Sequence, residues 1–202
     1  AMQAMEPGSF TLENSPVLHK YVRGKYPTTR IVDMRRHAAL PSDRSRLLVS
    51  SKELTFELLD QEPPTPMDVL GEEKGWSKDN PPLMRQSMAS TRSVEEPGFT
   101  VTGGALHVGA PSLGEIGPKY LAGSRDRAKL IGYRPDNLPK FSSSMSETER
   151  RKAVGEVIPP LFGVKLQESM HRAIKGERRA QAVMRRIHVV QTLTEPEAEA
   201  CS

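Results

Sequence analysis

Two arginines one residue apart, Arg44 and Arg46, lead into the apolar run Leu47-Leu48-Val49. A guanidinium stays charged across the physiological range and offers a planar fork of donors, which suits an anion or a base edge. The alternative is that both simply flank a strand in solvent. A second concentration lies in the strip 84–104. Arg85, Gln86, Ser87 and Arg92 carry donors for phosphates or base edges. Thr100 and Thr102 belong to the same strip, and Gly103-Gly104 lets a backbone approach a nucleic acid closely. Glu95-Glu96 in that strip would repel phosphates, so a structural hairpin with a proline-rich lead-in is the competing reading. A third feature is the run Lys175, Arg178, Arg179, Arg185 and Arg186 against Glu177. Such a run is ordinarily a solvated helix face; otherwise it contacts phosphate or a partner. Trp76, Met67 and Leu70 are read as a satellite core cluster, with a partner anchor as the alternative.

Other chemistries are excluded. The one cysteine, Cys201, sits on a polar tail, so neither an intrachain disulfide nor a Cys-based metal site is expected. The five histidines (19, 37, 107, 171, 188) show no ligand spacing. A single cysteine suits a reducing, intracellular compartment, cytoplasmic, nucleoid or nuclear. The first residues lack the apolar stretch of a secretory signal. No apolar run approaches the ~18 residues of a membrane span, so no membrane partner is expected.

The elements that must position these residues are short. Of 202 residues, 36% are hydrophobic and 10 are aromatic, while Gly and Pro together number 32. That apolar fraction is low for a self-sufficient core, so long loops or a covering partner are expected. The balance of 29 basic to 25 acidic residues permits a nucleic-acid partner without requiring one. Residues 17–23 read as a short helix or strand, 28–34 as a strand, the stretch to Pro41 as a loop, and Ser45–Ser50 as a buried strand. Thr55 is placed to cap a helix over 56–60. Prolines break 61–97. Phe99–Thr102 alternates like a strand, and 109–118 reads as loop. Arg125–Tyr133 has helical spacing behind Ser124. Ser144 or Ser146 opens a further helix with acid in its first turn. After Pro159-Pro160 the longest helical pattern runs from Leu161 to about Val190.

Three of these segments together resemble DNA cytosine-5 methyltransferases. Residues 40–49 (LPSDRSRLLV) are similar to the family's Val-Pro-Gln-x-Arg-x-Arg and following strand. Residues 92–104 (RSVEEPGFTVTGG), followed by 125–133 (RDRAKLIGY), are similar to Arg-x-x-x-Glu-Pro-x-x-Thr-Ile-Thr and Arg-Glu-x-Ala-Arg-Leu-Gln-Gly-Phe. Residues 154–161 (VGEVIPPL) resemble Ile-Gly-Asn-Ala-Val-Pro-Pro-Leu, which closes the family's catalytic domain. The resemblance spans roughly 28–175.

The resemblance implies the carboxyl-terminal portion of such an enzyme. The family's amino-terminal part carries a glycine-rich turn for S-adenosylmethionine, a Pro-Cys nucleophile and a Glu-Asn-Val acid. Here there is no Pro-Cys pair and no Gly-x-Gly turn after a strand. By the resemblance, Arg46 contacts a flipped cytosine, and Arg44 lies nearer the phosphates and the fold. Gly155, Glu156 and Val157 stand where the cofactor is approached, and Arg85, Gln86, Arg92, Thr100, Thr102, Gly103 and Gly104 form the recognition strip. Two departures count against full function. Ser42 replaces a glutamine, and Glu156 replaces an asparagine, so its charge would repel the methionine carboxylate.

The expected fold is α/β: a partial Rossmann-like methyltransferase sheet, a small irregular β recognition region and a closing helix. The expected segments are 1–52 (sheet end), 53–123 (Pro/Gly-rich recognition region), 124–190 (closing helices) and 191–202 (frayed acidic tail). The chain is expected to bind DNA and not to methylate alone. S-adenosylmethionine enters only if a partner carrying the amino-terminal half supplies most of its site. Either the chain is one part of a split enzyme, or it is a non-catalytic relative. The rival reading is an extended structural subunit of a large assembly, a ribosome or a filament. A methyltransferase part requires a compact sheet containing Leu47–Val49 packed by the helix after Leu161; an extended subunit does not.

Overall fold

The computed structural model describes residues 9–87, 90–112 and 118–176. Its first sheet has the order β1-β3-β2, with β1 Thr11–Asn14, β2 Thr28–Asp33 and β3 Ser45–Ser50. Both outer strands are antiparallel to β3, so β1 and β2 run the same way with β3 reversed between them. Leu47, Leu48 and Val49 are all buried. A run that is apolar at every position is the pattern of a strand covered on both faces, and β3 is the strand the sequence most clearly announces. The link from β1 to β2, a 3₁₀ turn Pro16–Leu18 and α1 His19–Val22, packs against β3 and β2. After β2, α2 Met34–Ala38 occupies part of the stretch expected as loop. Asp33 caps it, its side chain accepting from the Arg35 N–H.

The long helix α6 begins at residue 160 and runs to 176, the last described residue. Phe162, Leu166 and Met170 recur every fourth position, which places them on one helical face. Phe162 is buried with Val32, Met34, Leu40 and Leu48, and stacks on Phe56 at 5.4 Å between ring centres. Ser169 on the same helix accepts from the Thr55 N–H at 3.0 Å and donates to the Thr55 carbonyl at 2.8 Å. The helix expected over 56–60 is therefore absent. This backbone is pinned to its neighbours instead: the Leu59 N–H donates to the Arg36 carbonyl, and the Glu57 carbonyl lies 2.8 Å from His37 Nδ1.

The second sheet has the order β5-β4-β6, with β4 Leu83–Ser87, β5 Ser90–Ser93 and β6 His107–Ala110. It packs with α3 Pro66–Lys74, α4 Ser124–Leu130 and α5 Glu147–Glu156 around a core of Leu70, Met84, Val101, Leu130 and Val154. The segment 124–176 is thus divided: α4 and α5 serve the second core, and α6 serves the first. Helix α3 falls within the proline-broken zone. Pro66 stands at its first position, where the missing N–H is no loss, and Thr65 caps it. Strand β6 runs into the stretch 109–118 expected as loop, taking its first two residues. Gly109, at φ +88°, is skipped in the register between Met84↔Val108 and Leu83↔Ala110, forming a bulge only glycine accommodates easily. The cap of α4 is Gly123 rather than Ser124. Ser124 instead donates its N–H and hydroxyl to the Glu147 carboxylate of α5, at 2.5 and 3.0 Å.

The class is mixed α/β. A doubly wound sheet is built from parallel neighbours. Among the described residues every neighbouring strand pair is antiparallel, and the parallel contact is an isolated bridge between Ser42 and Gly98. The Rossmann-like sheet expected from the sequence is not present in these strands. Among the described residues no helix is long and apolar enough to cross a membrane.

Two capping boxes give the fold an acid sensitivity. Asp68 accepts from the Thr65 backbone N–H at 2.7 Å and Glu149 from the Ser146 hydroxyl at 2.8 Å. These bonds hold the Asp68 and Glu149 carboxyls below their ordinary values of 3.8 and 4.5. A folded-state value below the unfolded one stabilises fully above the unfolded value and is lost as pH falls through the folded one. Melting temperature should therefore hold level above about pH 5.5 and decline below that. An Asp68→Asn/Glu149→Gln double variant, followed by circular dichroism across the same range, should show a shallower decline.

Candidate functional site

Phe99–Thr102 forms no ladder strand, because its carbonyls are taken by side chains. Gln86 Nε2 donates to the Thr100 carbonyl at 3.2 Å. Arg44 donates to the Val101 carbonyl at 3.1 Å. Arg127 donates to the carbonyls of Thr102 at 2.5 Å, Gly104 at 2.8 Å and Ala122 at 3.0 Å. Two buried guanidiniums thus clamp one loop. Burial lowers the pKa of each; for Arg44, with Arg46 close by as the next cause, it falls to about 10, so the group is still charged at neutral pH.

Arg44 is 1% exposed and reaches further. It also donates to the Gly155 carbonyl at 3.3 Å and the Val157 carbonyl at 2.7 Å. The strip residues Thr102-Gly103-Gly104 and the motif Gly155-Glu156-Val157 therefore meet, although the sequence sets them some fifty residues apart. Gly155 is required there: a Cβ would lie 2.5 Å from the Thr102 carbonyl carbon and 2.7 Å from the Gly103 nitrogen. The two backbones touch, and no side chain fits between them. Glu156, next to this contact, is exposed. Arg44 is committed to the fold by these bonds and presents no face to a nucleic acid.

Arg46, one side-chain step along β3, is placed differently. Its Nε lies 2.6 Å from Glu13 Oε1 on β1, with the two side chains 19% and 15% exposed. It is neither solvated nor spent on carbonyls of the core. Glu13 was not singled out from the sequence, and β1 is only four residues long. The available signal was Glu13-Asn14-Ser15, two residues of the Glu-Asn-Val acid that the resemblance places in the amino-terminal part.

The remaining strip residues hold the recognition region together. Arg92 donates to Asp43 at 2.6 Å and to the Pro97 carbonyl at 2.8 Å, with its guanidinium 4.7 Å from the Phe99 ring centre. Arg85 is half-buried on β4, and Thr100 is half-buried. Ser42 is buried and donates to the Leu130 carbonyl at 2.7 Å, tying the lead of β3 to α4. Met67 and Leu70 are in the second core, with Trp76 packed at its edge. Residues 177–202, which include most of the basic run and Cys201, lie outside the described residues. No group of three or more metal-ligating side chains occurs among the described residues.

Comparison with protein-family models and with curated proteins finds no match.

Proposed function

We propose that the chain is the DNA-binding, target-recognition part of a cytosine-5 methyltransferase-like protein. It contributes an acid and a guanidinium to the base site, while the thiolate and the S-adenosylmethionine turn come from another polypeptide segment. The observation that carries this reading is the Glu13–Arg46 pair. It sets an acid beside the arginine of the Arg-x-Arg motif, on adjacent strands. In this chemistry a cysteine thiolate adds to C6 of an extruded cytosine. The acid and the guanidinium then stabilise the charge that develops on the ring as C5 attacks the methyl donor.

The architecture favours this over an extended structural subunit. Leu47–Val49 lie in the central strand of a compact sheet, and α6 packs on that sheet through Phe162. The sheet is also open where more of it would attach. Among the described residues β1 is an edge strand, beside an apolar groove lined by Ile158, Leu166, Met170 and Ile174. An amino-terminal half whose strands continue the sheet parallel to β1 would make it Rossmann-like, cover that edge and bring its Pro-Cys toward Glu13 and Arg46.

The test is co-expression with the amino-terminal half of a cytosine-5 methyltransferase, scored by transfer of labelled methyl groups from S-adenosylmethionine to DNA. The expected result is transfer by the pair and none by the chain alone. A complex that retains DNA without transfer would leave a non-catalytic binding part. Absence of both complex and DNA retention would overturn the proposal.

A further inference from the structure

Between β1 and β2 the chain crosses the first sheet in a link of residues 15–27. No Asp or Glu occurs from Asn14 to Val32, while Lys20, Arg23 and Lys25 all fall in the link. The three side chains are exposed, and among the described residues none has a carboxylate or a hydrogen-bond partner. Lys20 Nζ lies 4.9 Å from the ring centre of Tyr21, which is itself 59% exposed. Elsewhere the arginines are spent within the fold, Arg44 and Arg127 on carbonyls and Arg92 on Asp43.

The link is held in one shape. The Arg23 N–H donates to the His19 carbonyl at 3.0 Å and the Lys25 N–H to the Val22 carbonyl at 3.1 Å, around Gly24 at φ +73°. Tyr26 sits edge-on to Phe10, with 5.4 Å between ring centres. Residues three apart on a helical turn are neighbours, so Lys20 and Arg23 stand together on α1. The link also starts beside the base site. It leaves β1 directly after Glu13-Asn14, Asn14 pairs with Leu47, and the 3₁₀ turn packs on β3.

We infer that this link is a phosphate-contacting surface that holds a DNA duplex alongside the Glu13–Arg46 pair. Lys20, Arg23 and Lys25 take phosphates of the backbone, and with no carboxylate in the stretch nothing there repels them. Such contacts position a duplex and carry no sequence information, which leaves the base to Glu13 and Arg46. The inference rests on the DNA-binding reading for its ligand, and it moves the electrostatic grip from the 84–104 strip to the link. Exposed Val17 and Leu18 make an anionic lipid surface the competing ligand.

The test is a Lys20→Gln/Arg23→Gln/Lys25→Gln variant of the full chain, followed by anisotropy of a short labelled DNA duplex across a salt series. Each phosphate contact adds about 0.9 to the slope of log affinity against log salt. The variant should flatten that slope by about 2.7 and, at about 0.1 M salt, weaken binding roughly 500-fold. Its melting temperature should be that of the parent, because the three side chains bond to nothing in the fold. A Lys78→Gln/Arg134→Gln/Lys140→Gln variant removes the same charge from exposed positions around the second core and should bind nearly as the parent does. Unchanged affinity and slope in the link variant would overturn the link while DNA binding stands. Equal losses in both variants would reduce the effect to net charge and overturn the link as a site. If the parent retains no duplex, the link and the DNA-binding reading both fall. Capture of the parent but not the link variant by phosphatidylserine vesicles would then assign the surface to lipid.

Discussion

An Arg44→Met variant should lose about 3–5 kcal/mol of unfolding free energy. Methionine keeps most of the chain length and removes the donors. The carbonyls of Val101, Gly155 and Val157 are then left with unmade bonds in a region closed to water. Each buried acceptor stranded in this way costs about 1–3 kcal/mol. The loss is a large share of a stability that for most domains is about 5–15 kcal/mol. Arg44→Lys should recover only part of it, because an ammonium has no planar fork to span three carbonyls. The same side chain ties the lead of β3, which belongs to the first core, to a loop and a helix end that belong to the second. Urea unfolding should therefore become less cooperative as well as earlier, with a smaller m-value when circular dichroism is followed alongside Trp76 emission. A shift below about 1 kcal/mol, the scale of one ordinary hydrogen bond, would mean that the clamp adds nothing beyond that.

Why Arg44 was not legible as a structural residue follows from the distances involved. Its partners lie 57 to 113 positions away in the chain. Nothing local distinguishes it from Arg46, yet one ends in the interior and the other against a carboxylate. The same long-range capture hid the fate of Phe99–Thr102. Its alternation and β-branched residues argue for a strand, but its carbonyls are taken by Gln86, Arg44 and Arg127 instead of a neighbouring strand. Thr55–Asp60 failed as a helix for the same reason, with Ser169 and Arg36 holding its backbone.

What was legible is what local chemistry dictates. Ser45–Ser50 is a strand with the bounds its apolar run suggests, and β2 stops one residue short of the expected 28–34. The Ser146 cap and its Glu149 partner fix the start of α5. Helix α3 was obscured by reading proline only as a breaker, although Thr65-Pro66-Met67-Asp68 is a cap, a permitted first-position proline and a third-position acid. For the candidate site, the Arg-x-Arg motif is visible in the sequence and the carboxylate beside Arg46 is not. Four residues of β1 carry too short a pattern to read as a strand, and the pairing of Glu13 with Arg46 is made only when β1 lies along β3.

That pairing carries the largest expected effect on rate. If the proposed assembly with an amino-terminal half forms, Glu13→Gln should reduce its methyl transfer by about 10²- to 10⁴-fold, the range usual for loss of a positioned acid. Glutamine keeps the shape and loses both the charge and the exchangeable proton. Arg46→Met should reduce transfer by a comparable factor through loss of a preorganised cation. The double variant should be little worse than the poorer single one, since two groups acting on one ring are strongly non-additive. A purely structural ion pair makes the opposite forecast. It would leave the rate intact and register only in melting temperature. Both side chains are mostly buried, so removing one strands the other, and that stability term is about 1–3 kcal/mol. Measuring kcat and melting temperature on the same three variants separates the two roles. Rates within a few-fold of the parent, with or without a loss of stability, would remove Glu13 and Arg46 from the chemistry. A collapse in kcat with melting temperature held would place the acid and the guanidinium at the base. The chain would then supply part of the reaction's machinery as well as its recognition surface.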